Sequence, residues 1–371
     1  VKHLLDVQVD EYTLVLQPNR KPSVIEEWSS AALDIISEFL KLSKAEDFLG
    51  ELSEVTYSLP KGYTNGYLSE GAPYYFAVSY HPDHIQMGIC VKFSAHAWMI
   101  YRKKYEALLN QPIHIHQLLK IVDQTSLYSS RLSRIDIAID FVNEKVSCNT
   151  IYNQLFKRKH TVKSSTGRKN HSVLSALTHN GVTSTFYIGS KGKNVKALLR
   201  VYDKKKEQID TNGIRYEEAI YYNDWVRFEA VFKGKYAHEL SEKIKKINNE
   251  TDLKDILVSA LTDRYQFYYS KSDKLTTYSK KMMNLLTQRN FSFNSPSPRY
   301  NLLEQSQRHI VSGSGLFPYL FKVWRIWGDE GLNKCVSYLH KEFDNYEPND
   351  DVLSWLKKYS ALYSKQGLPF K

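Results

Sequence analysis

The chain has 371 residues, 42% hydrophobic and 25% charged, a balance that excludes a disordered or fibrous protein and leaves room for two domains, or three small ones. Its 51 Lys and Arg against 40 Asp and Glu give a formal charge of +11, which favours a polyanionic partner such as nucleic acid over an inert basic surface. Cys90, Cys148 and Cys335 form neither a CxxC pair nor an even disulfide set, which argues against secretion.

The opening residues, Val1-Lys2-His3-Leu4-Leu5-Asp6, run into alternating sequence rather than a signal peptide. No run reaches the roughly 18 apolar residues of a membrane span. A cytoplasmic protein without a membrane partner is expected.

In chain order, Val7–Leu16 alternates weakly and predicts a first strand. Trp28, Ala32, Ile35, Ile36, Phe39 and Leu40 recur at helical spacing and predict an amphipathic helix from Ile25 to about Phe48. Strands are predicted over Tyr74–Tyr80 and Ile85–Phe93 around the turn His81-Pro82-Asp83-His84. Helices over Ala95–Leu109 and Ile115–Val122 lead into a strand at Arg134–Phe141 and a further helix at Cys148–Phe156.

The polar stretch Lys157–His179, centred on Gly167-Arg168-Lys169-Asn170, predicts an exposed loop. Thr183–Ile188 and Ala197–Tyr202 predict strands around Gly189-Ser190-Lys191-Gly192, and Trp225–Phe232 a third. Helices over Ala237–Ile247 and Leu253–Tyr269, a polar connection at Asn290–Arg299 and mostly helix over Phe317–Tyr359, broken at Gly328-Asp329-Glu330-Gly331, complete the chain. The order predicts an α+β protein of antiparallel β-sheet with packed helices and a mostly helical C-terminal part. A boundary near residue 270 separates region 1–270, divisible into subdomains at 1–125 and 126–270, from region 271–371.

Period-two alternation puts Arg134, Asp136, Ala138 and Asp140 on one face of their strand and Ile135, Ile137, Ile139 and Phe141 on the other. Arg227 and Glu229 likewise share the face opposite Phe228. Burying a carboxylate unpaired costs several kcal/mol. Two readings satisfy the charges: Asp136, Asp140 and Glu229 converge on Mg²⁺ or Mn²⁺, or the acids form ion pairs with Arg134 and Arg227. Both stay open at this point.

Tyr202 stands among Arg200, Lys204, Lys205 and Lys206, with Lys191, Lys193 and Lys196 before its strand. Such a cluster would hold phosphates and favour a phenolate. A phenolic oxygen attacking phosphorus would form a covalent ester and release a 3′-hydroxyl. The plainer reading is a strand anchor beside lysines. His114-Ile115-His116 has the spacing of a metal pair but opens a helix. Gly189–Lys193 lacks the nucleotide-binding pattern, and neither a Gly-x-Ser-x-Gly elbow nor a His-Glu-x-x-His helix occurs.

Taken together, Arg134-Ile-Asp-Ile-Ala-Ile-Asp140, Thr185-Phe-Tyr-Ile-Gly-Ser190, Arg200-Val-Tyr-Asp-Lys-Lys-Lys-Glu207 and Arg227-Phe-Glu229 followed by Gly234-Lys235 resemble, in order and spacing, the Rep_trans rolling-circle replication initiators of small Gram-positive plasmids. They also resemble the related relaxases of integrative elements. The likeness covers roughly residues 60 to 340.

The resemblance implies a sheet akin to that of the His-hydrophobe-His (HUH) nucleases, without use of His114 and His116. It implies metal-dependent nicking of one strand at a double-stranded origin through a 5′-phosphotyrosine, a homodimer, and a host helicase partner. By the same resemblance Tyr202 is the nucleophile, and Asp136, Asp140 and Glu229 are metal ligands. Glu207 is a base, or a ligand in place of one Asp. Arg200, Lys191, Lys193, Lys204, Lys205 and Lys206 would bind phosphates. Origin choice maps to the C-terminal part, beginning with Lys271, Lys274, Thr276, Thr277, Lys280 and Lys281. A conjugative relaxase and a DNA-binding regulator without chemistry are the alternatives.

Overall fold

Two stretches of alternating residues form the longest strands, β1 (Leu4–Pro18) and β6 (Tyr128–Val142), which pair antiparallel along most of their length. The structure, a computed structural model, describes residues 3–20, 25–167, 174–189, 195–287, 291, 293, 303–312, 314–348 and 350–366. They divide into two compact units, Val1–Phe293 and Asn294–Lys371.

In the first unit the remaining strands of the main sheet are β2 (Ser53–Val55), β3 (Asn65–Leu68), β4 (Phe76–Tyr80), β5 (Ile89–Phe93), β8 (Leu174–His179), β9 (Val182–Ile188), β10 (Ala197–Asp203) and β11 (Trp225–Lys233). They form a ten-stranded antiparallel sheet in the order β2-β3-β4-β5-β1-β6-β11-β10-β9-β8. A second, two-stranded sheet joins β7 (His160–Lys163) to β12 (Gln266–Tyr269).

The helices of this unit are α1 (Ile25–Ser43), α2 (Ala45–Leu49), α3 (Ala95–Leu109), α4 (Ile115–Val122), α5 (Cys148–Phe156), α6 (Lys204–Asp210), α7 (Tyr216–Tyr221), α8 (Lys235–Lys245), α9 (Glu250–Arg264) and α10 (Thr277–Met283). Side-chain caps set several starts: Ser94, Ser147, Asp203 and Asn249 each accept a backbone N–H three residues on, opening α3, α5, α6 and α9. The apolar face of β6, Ile135, Ile137, Ile139 and Phe141, is fully buried in one core with Leu240 and Ile244 of α8 and Ile256 and Leu261 of α9. Each such side chain contributes about 1.5–3 kcal/mol on burial. The opposite face of β6 is the polar one.

The α+β class and antiparallel sheet agree with the sequence, and four local expectations are corrected. The stretch 157–179 is not all loop, because β7 pairs with β12 and β8 with β9. The helix expected over 253–269 stops at Arg264, and its aromatic end Gln266–Tyr269 becomes a strand, where aromatics fit the pleated surface. The strand expected from Ile85 starts at Ile89, since Ile85–Met87 is a 3₁₀ turn closed by Gly88 at φ 67°; a Cβ there would meet the Leu16 carbonyl oxygen at 2.6 Å. The first helix breaks at Lys44, whose φ of 52° separates α1 from α2.

The second unit contains α11 (Leu303–Ser312), α12 (Leu316–Asp344) and α13 (Asp350–Gln366). The expected break at Gly328 is a kink within α12, with φ 65°. Of the connection at 290–299, only Phe291 and Phe293 are described; Arg168-Lys169-Asn170, Lys191 and Lys193 also lie outside the described residues. Among the described residues no helix is long and apolar enough to cross a membrane.

Candidate active site

Strand register decides which polar residues meet. On the β6–β11 pair Asp140 stands opposite Arg227, and Ala138 opposite Glu229. On the β10–β11 pair Glu229 stands opposite Arg200, and Arg227 opposite Tyr202. Residues paired this way point to the same side, so three strands present one polar face. From the other flank β1 brings Gln8 opposite Ala138, and an irregularity between Val9 and Tyr12 lets Asp10 reach the same network.

The contacts are short and paired. Arg227 donates through Nε and Nη2 to both oxygens of Asp140 at 2.7 and 2.8 Å, and through Nη1 to Asp10 at 2.6 Å. Gln8 Nε2 donates to Asp140 at 3.0 Å. Arg134 holds Asp136 with two bonds of 2.9 and 2.7 Å and also reaches Glu11 at 2.9 Å. Arg200 donates to Oε1 of Glu229 at 2.6 Å, and the Tyr202 hydroxyl donates to Oε2 at 3.0 Å. The guanidinium of Arg200 lies 4.7 Å from the Tyr202 ring centre, and Lys204 Nζ lies 5.6 Å from it.

These environments drive the ionisations apart. Burial raises Asp140, but the Arg227 charge and hydrogen bonds outweigh it and leave the carboxyl below its usual range. Asp136 is pushed up to about 7 by burial, which its bonds to Arg134 only partly offset. Asp10 is raised by burial against the pull of Arg227. The Tyr202 phenol is raised well above 10, first by burial and then by the Glu229 charge. The phenolate expected from neighbouring lysines is therefore not the resting form, since the side chain is only 6% exposed.

The reason lies in the helix that follows. Asp203 caps α6, so the three lysines wind onto a helix instead of lining a strand. Lys204 pairs with Glu207 at 2.8 Å, Lys205 donates to the Tyr222 carbonyl at 2.6 Å, and Lys206 pairs with Asp210 at 2.8 Å. Glu207 is held by Lys204 and by Gln208 at 2.7 Å; burial raises it, yet these bonds leave it lowered. The carboxylate on the Tyr202 hydroxyl is Glu229.

Asp136, Asp140 and Glu229 share one face, each engaged by its own arginine. Among the described residues no group of three or more His, Cys, Asp or Glu side chains is arranged to hold a metal ion. As they stand, the three acids do not form a cage for Mg²⁺ or Mn²⁺, hard cations that want open oxygen ligands.

The remaining expected residues are dispersed. Lys271 and Lys274 are exposed between β12 and α10. Thr276 is buried and caps α10 by accepting from the Ser279 N–H, while Thr277 and Lys280 face solvent. Lys281 pairs with Glu144. All six lie in the first unit. His114 begins α4 and pairs with Glu250 at 3.5 Å.

Sequence reading missed Gln8, Asp10 and Arg215. The alternation Asp6-Val7-Gln8-Val9-Asp10 marks a polar face on β1, but nothing local says that it lies beside β6. Arg215 approaches Asp140 at 4.0 Å and packs 4.3 Å from the Trp225 ring centre. A cavity of about 240 Å³ opens beside this network, with Asp10, Lys204, Glu207, Arg215 and Arg227 in its wall.

Residues 130–310 match the Rep_trans family, described as replication initiation factor. The match takes in β6, β10 and β11, and with them Asp136, Asp140, Tyr202, Glu207 and Glu229. The structure is also similar to a solved rolling circle replication initiator protein from Geobacillus stearothermophilus, with a TM-score of 0.51 over 78% of this chain and 99% of that chain. At 17% identity this likeness speaks for the fold: a mixed α+β initiator architecture with an antiparallel sheet and packed helices. No curated protein matches the sequence.

Proposed function

We propose that the chain is a rolling-circle replication initiator that nicks one DNA strand at a specific origin, with Tyr202 as nucleophile and Glu229 as its base. The observation that carries the reading is the Tyr202–Glu229 hydrogen bond inside the matched region. Glu229 accepts the phenolic proton, and the phenolate oxygen attacks the phosphorus. The P–O3′ bond breaks, leaving a 5′-phosphotyrosine and a 3′-oxygen that takes up a proton as it departs. Return of the 3′-hydroxyl to phosphorus reverses the step and rejoins the strand.

Arg200 holds Glu229 in place and supplies positive charge beside the phenol, and Lys204, Arg215 and Arg227 line the adjoining cavity where a phosphate would meet cations. Catalysis is assigned to region 1–270 and origin choice to region 271–371. Double-stranded origin DNA, an exposed single-stranded nick site, a second copy of the chain and a host helicase are the partners this reading brings. A divalent ion belongs to it by family likeness, although Asp136, Asp140 and Glu229 would first have to leave their arginines to ligate one.

Supercoiled DNA carrying the neighbourhood of the gene, incubated with the protein and Mg²⁺ or Mn²⁺, tests the proposal. A nicked product and a denaturant-resistant adduct, both lost in Tyr202→Phe, are expected. Tight origin binding with intact supercoils under every ion would leave a DNA-binding regulator instead.

A further inference from the structure

On the far side of the sheet from Tyr202 lies a cavity of about 780 Å³ between α5, β7 and the β12–α10 turn. Its position follows from the strands beneath. Val201 and Phe186 are paired neighbours that point away from Tyr202, and α5 rests on them: the Cys148 thiol donates to the Val201 carbonyl, and the Tyr152 and Phe186 rings are 5.9 Å apart. On the same side Tyr278 of α10 stacks on Phe228, whose register partner is Val201. The cavity is therefore separated from the Tyr202–Glu229 pair by the thickness of the sheet.

Its wall is basic. Lys145, Lys157, Arg158, Lys159 and Lys271 line it, coming from three separate stretches of chain. None of their side chains has an ion pair or hydrogen bond among the described residues, in contrast to Lys204 and Lys206. Cations after a helix commonly complement its dipole, and that would account for Lys157–Lys159 alone. It does not account for Lys145 and Lys271, which converge on the same space from other elements.

Arg158 adds a second observation. The Lys159 N–H bonds to the Gln154 carbonyl and the Arg158 N–H to the Leu155 carbonyl, the pairing of a Schellman helix end with Arg158 at the left-handed position, φ 55°. Glycine is the favoured residue there, yet an arginine stands in it and faces the cavity. Lys145, with φ 56°, repeats this on the opposite rim. Tyr269 supplies a further feature, a half-open ring, 38% exposed, held edge-on to His160 at 5.0 Å.

We infer that this groove binds a single strand of DNA, with phosphates on Lys145, Arg158, Lys159 and Lys271 and a base stacked on Tyr269. A concave wall with an open aromatic ring suits unstacked bases, whereas a duplex is read by a protruding helix or ribbon entering its major groove. The inference rests on the DNA-processing reading above. It assigns the groove to a segment flanking the nick, so the groove governs affinity and not the chemical step.

Fluorescence anisotropy with a labelled oligothymidylate and a duplex of equal length tests it, using the full chain. Lys157→Ala/Arg158→Gly/Lys159→Ala should weaken single-strand binding at least tenfold and flatten the log–log salt dependence by about 2, near 0.7 per lost phosphate contact. Arg158→Gly alone should lower affinity while the unfolding midpoint stays level or rises, which a merely structural arginine would not do. Tyr269→Ala should cost the single strand about tenfold and leave the duplex unaffected. An unchanged salt slope in the triple variant, or equal losses for duplex and single strand in Tyr269→Ala, overturns the inference. Nicking is not part of this readout, so a chain that never cuts DNA would still reveal the groove; conversely, failure here leaves the Tyr202 adduct assay untouched.

Discussion

Tyr202 and Glu229 lie diagonally across the β10–β11 pair, and the phenolic O–H donates to the carboxylate at 3.0 Å while Arg200 holds the other oxygen at 2.6 Å. The carboxylate is thereby fixed by one cation and one proton donor. An acceptor already on the proton of a buried nucleophile is the arrangement general-base catalysis needs.

Tyr202→Phe removes only the hydroxyl. Because Arg200 still satisfies Glu229, the cost to folding should be about 1–2 kcal/mol, the range for one hydrogen bond to a charged group. DNA affinity should persist and the covalent adduct should vanish. Denaturing gel electrophoresis of labelled DNA after incubation decides this, and a surviving adduct removes Tyr202 from the mechanism.

Glu229→Gln should lower nicking about 10²–10⁴-fold near neutral pH, the usual loss of a positioned base. The Glu229 charge also helps hold the phenol in its neutral form, while Arg227 and Arg200 favour the phenolate. The variant's rate should accordingly recover as pH rises, faster than the parent's. Glu207→Gln, whose parent carboxylate sits on Lys204 and Gln208, should lose less. Single-turnover cleavage of a nick-site oligonucleotide across pH compares the two; a larger loss in Glu207→Gln would move the base there.

Asp140→Ala strips the buried Arg227 of its two-pronged partner and leaves it only Asp10. Breaking a buried pair from one side costs about 3–5 kcal/mol. Asp10→Ala should cost less, since the Asp140 pair survives. Urea denaturation ranks the two, and the reverse order would show Asp10 to be the principal counter-charge.

Asp136 carries a pH signature. Its folded pKa of about 7 exceeds the unfolded value of 3.8, so between those limits the native state holds a proton that the unfolded chain has released. This group's contribution is most favourable at low pH and is lost as pH rises towards and through about 7. Asp136→Asn cannot ionise, so it should gain stability relative to the parent from pH 4 to pH 8. The gain is a few kcal/mol at most, because each pH unit crossed between the two pKa values is worth about 1.4 kcal/mol. Chemical denaturation at a series of pH values measures it, and a flat difference would mean Asp136 stays ionised throughout.

Since the three acids are engaged by arginines, Asp140→Ala and Glu229→Ala should leave the Mn²⁺ affinity of the DNA-free protein unchanged. Calorimetric titration checks this. A loss of affinity in either variant would show that the arginines release the acids to a metal even without DNA.

Much of this protein was legible locally. The caps Ser94 and Ser147 and the apolar spacing fixed α3, α4 and α5 at their observed ends, and alternation placed Asp136, Asp140, Arg227 and Glu229 on polar faces, because helix and strand periods are properties of the nearest few residues. What tertiary structure decided was pairing. The register of β11 between β6 and β10 gave Glu229 to Arg200 and Tyr202 instead of to Arg227, and the placement of β1 beside β6 brought in Gln8 and Asp10 from more than a hundred residues away. β7 and β12 were hidden for the same reason, since each becomes a strand by meeting the other. Periodicity says which way a side chain points, and only the fold says what it meets there.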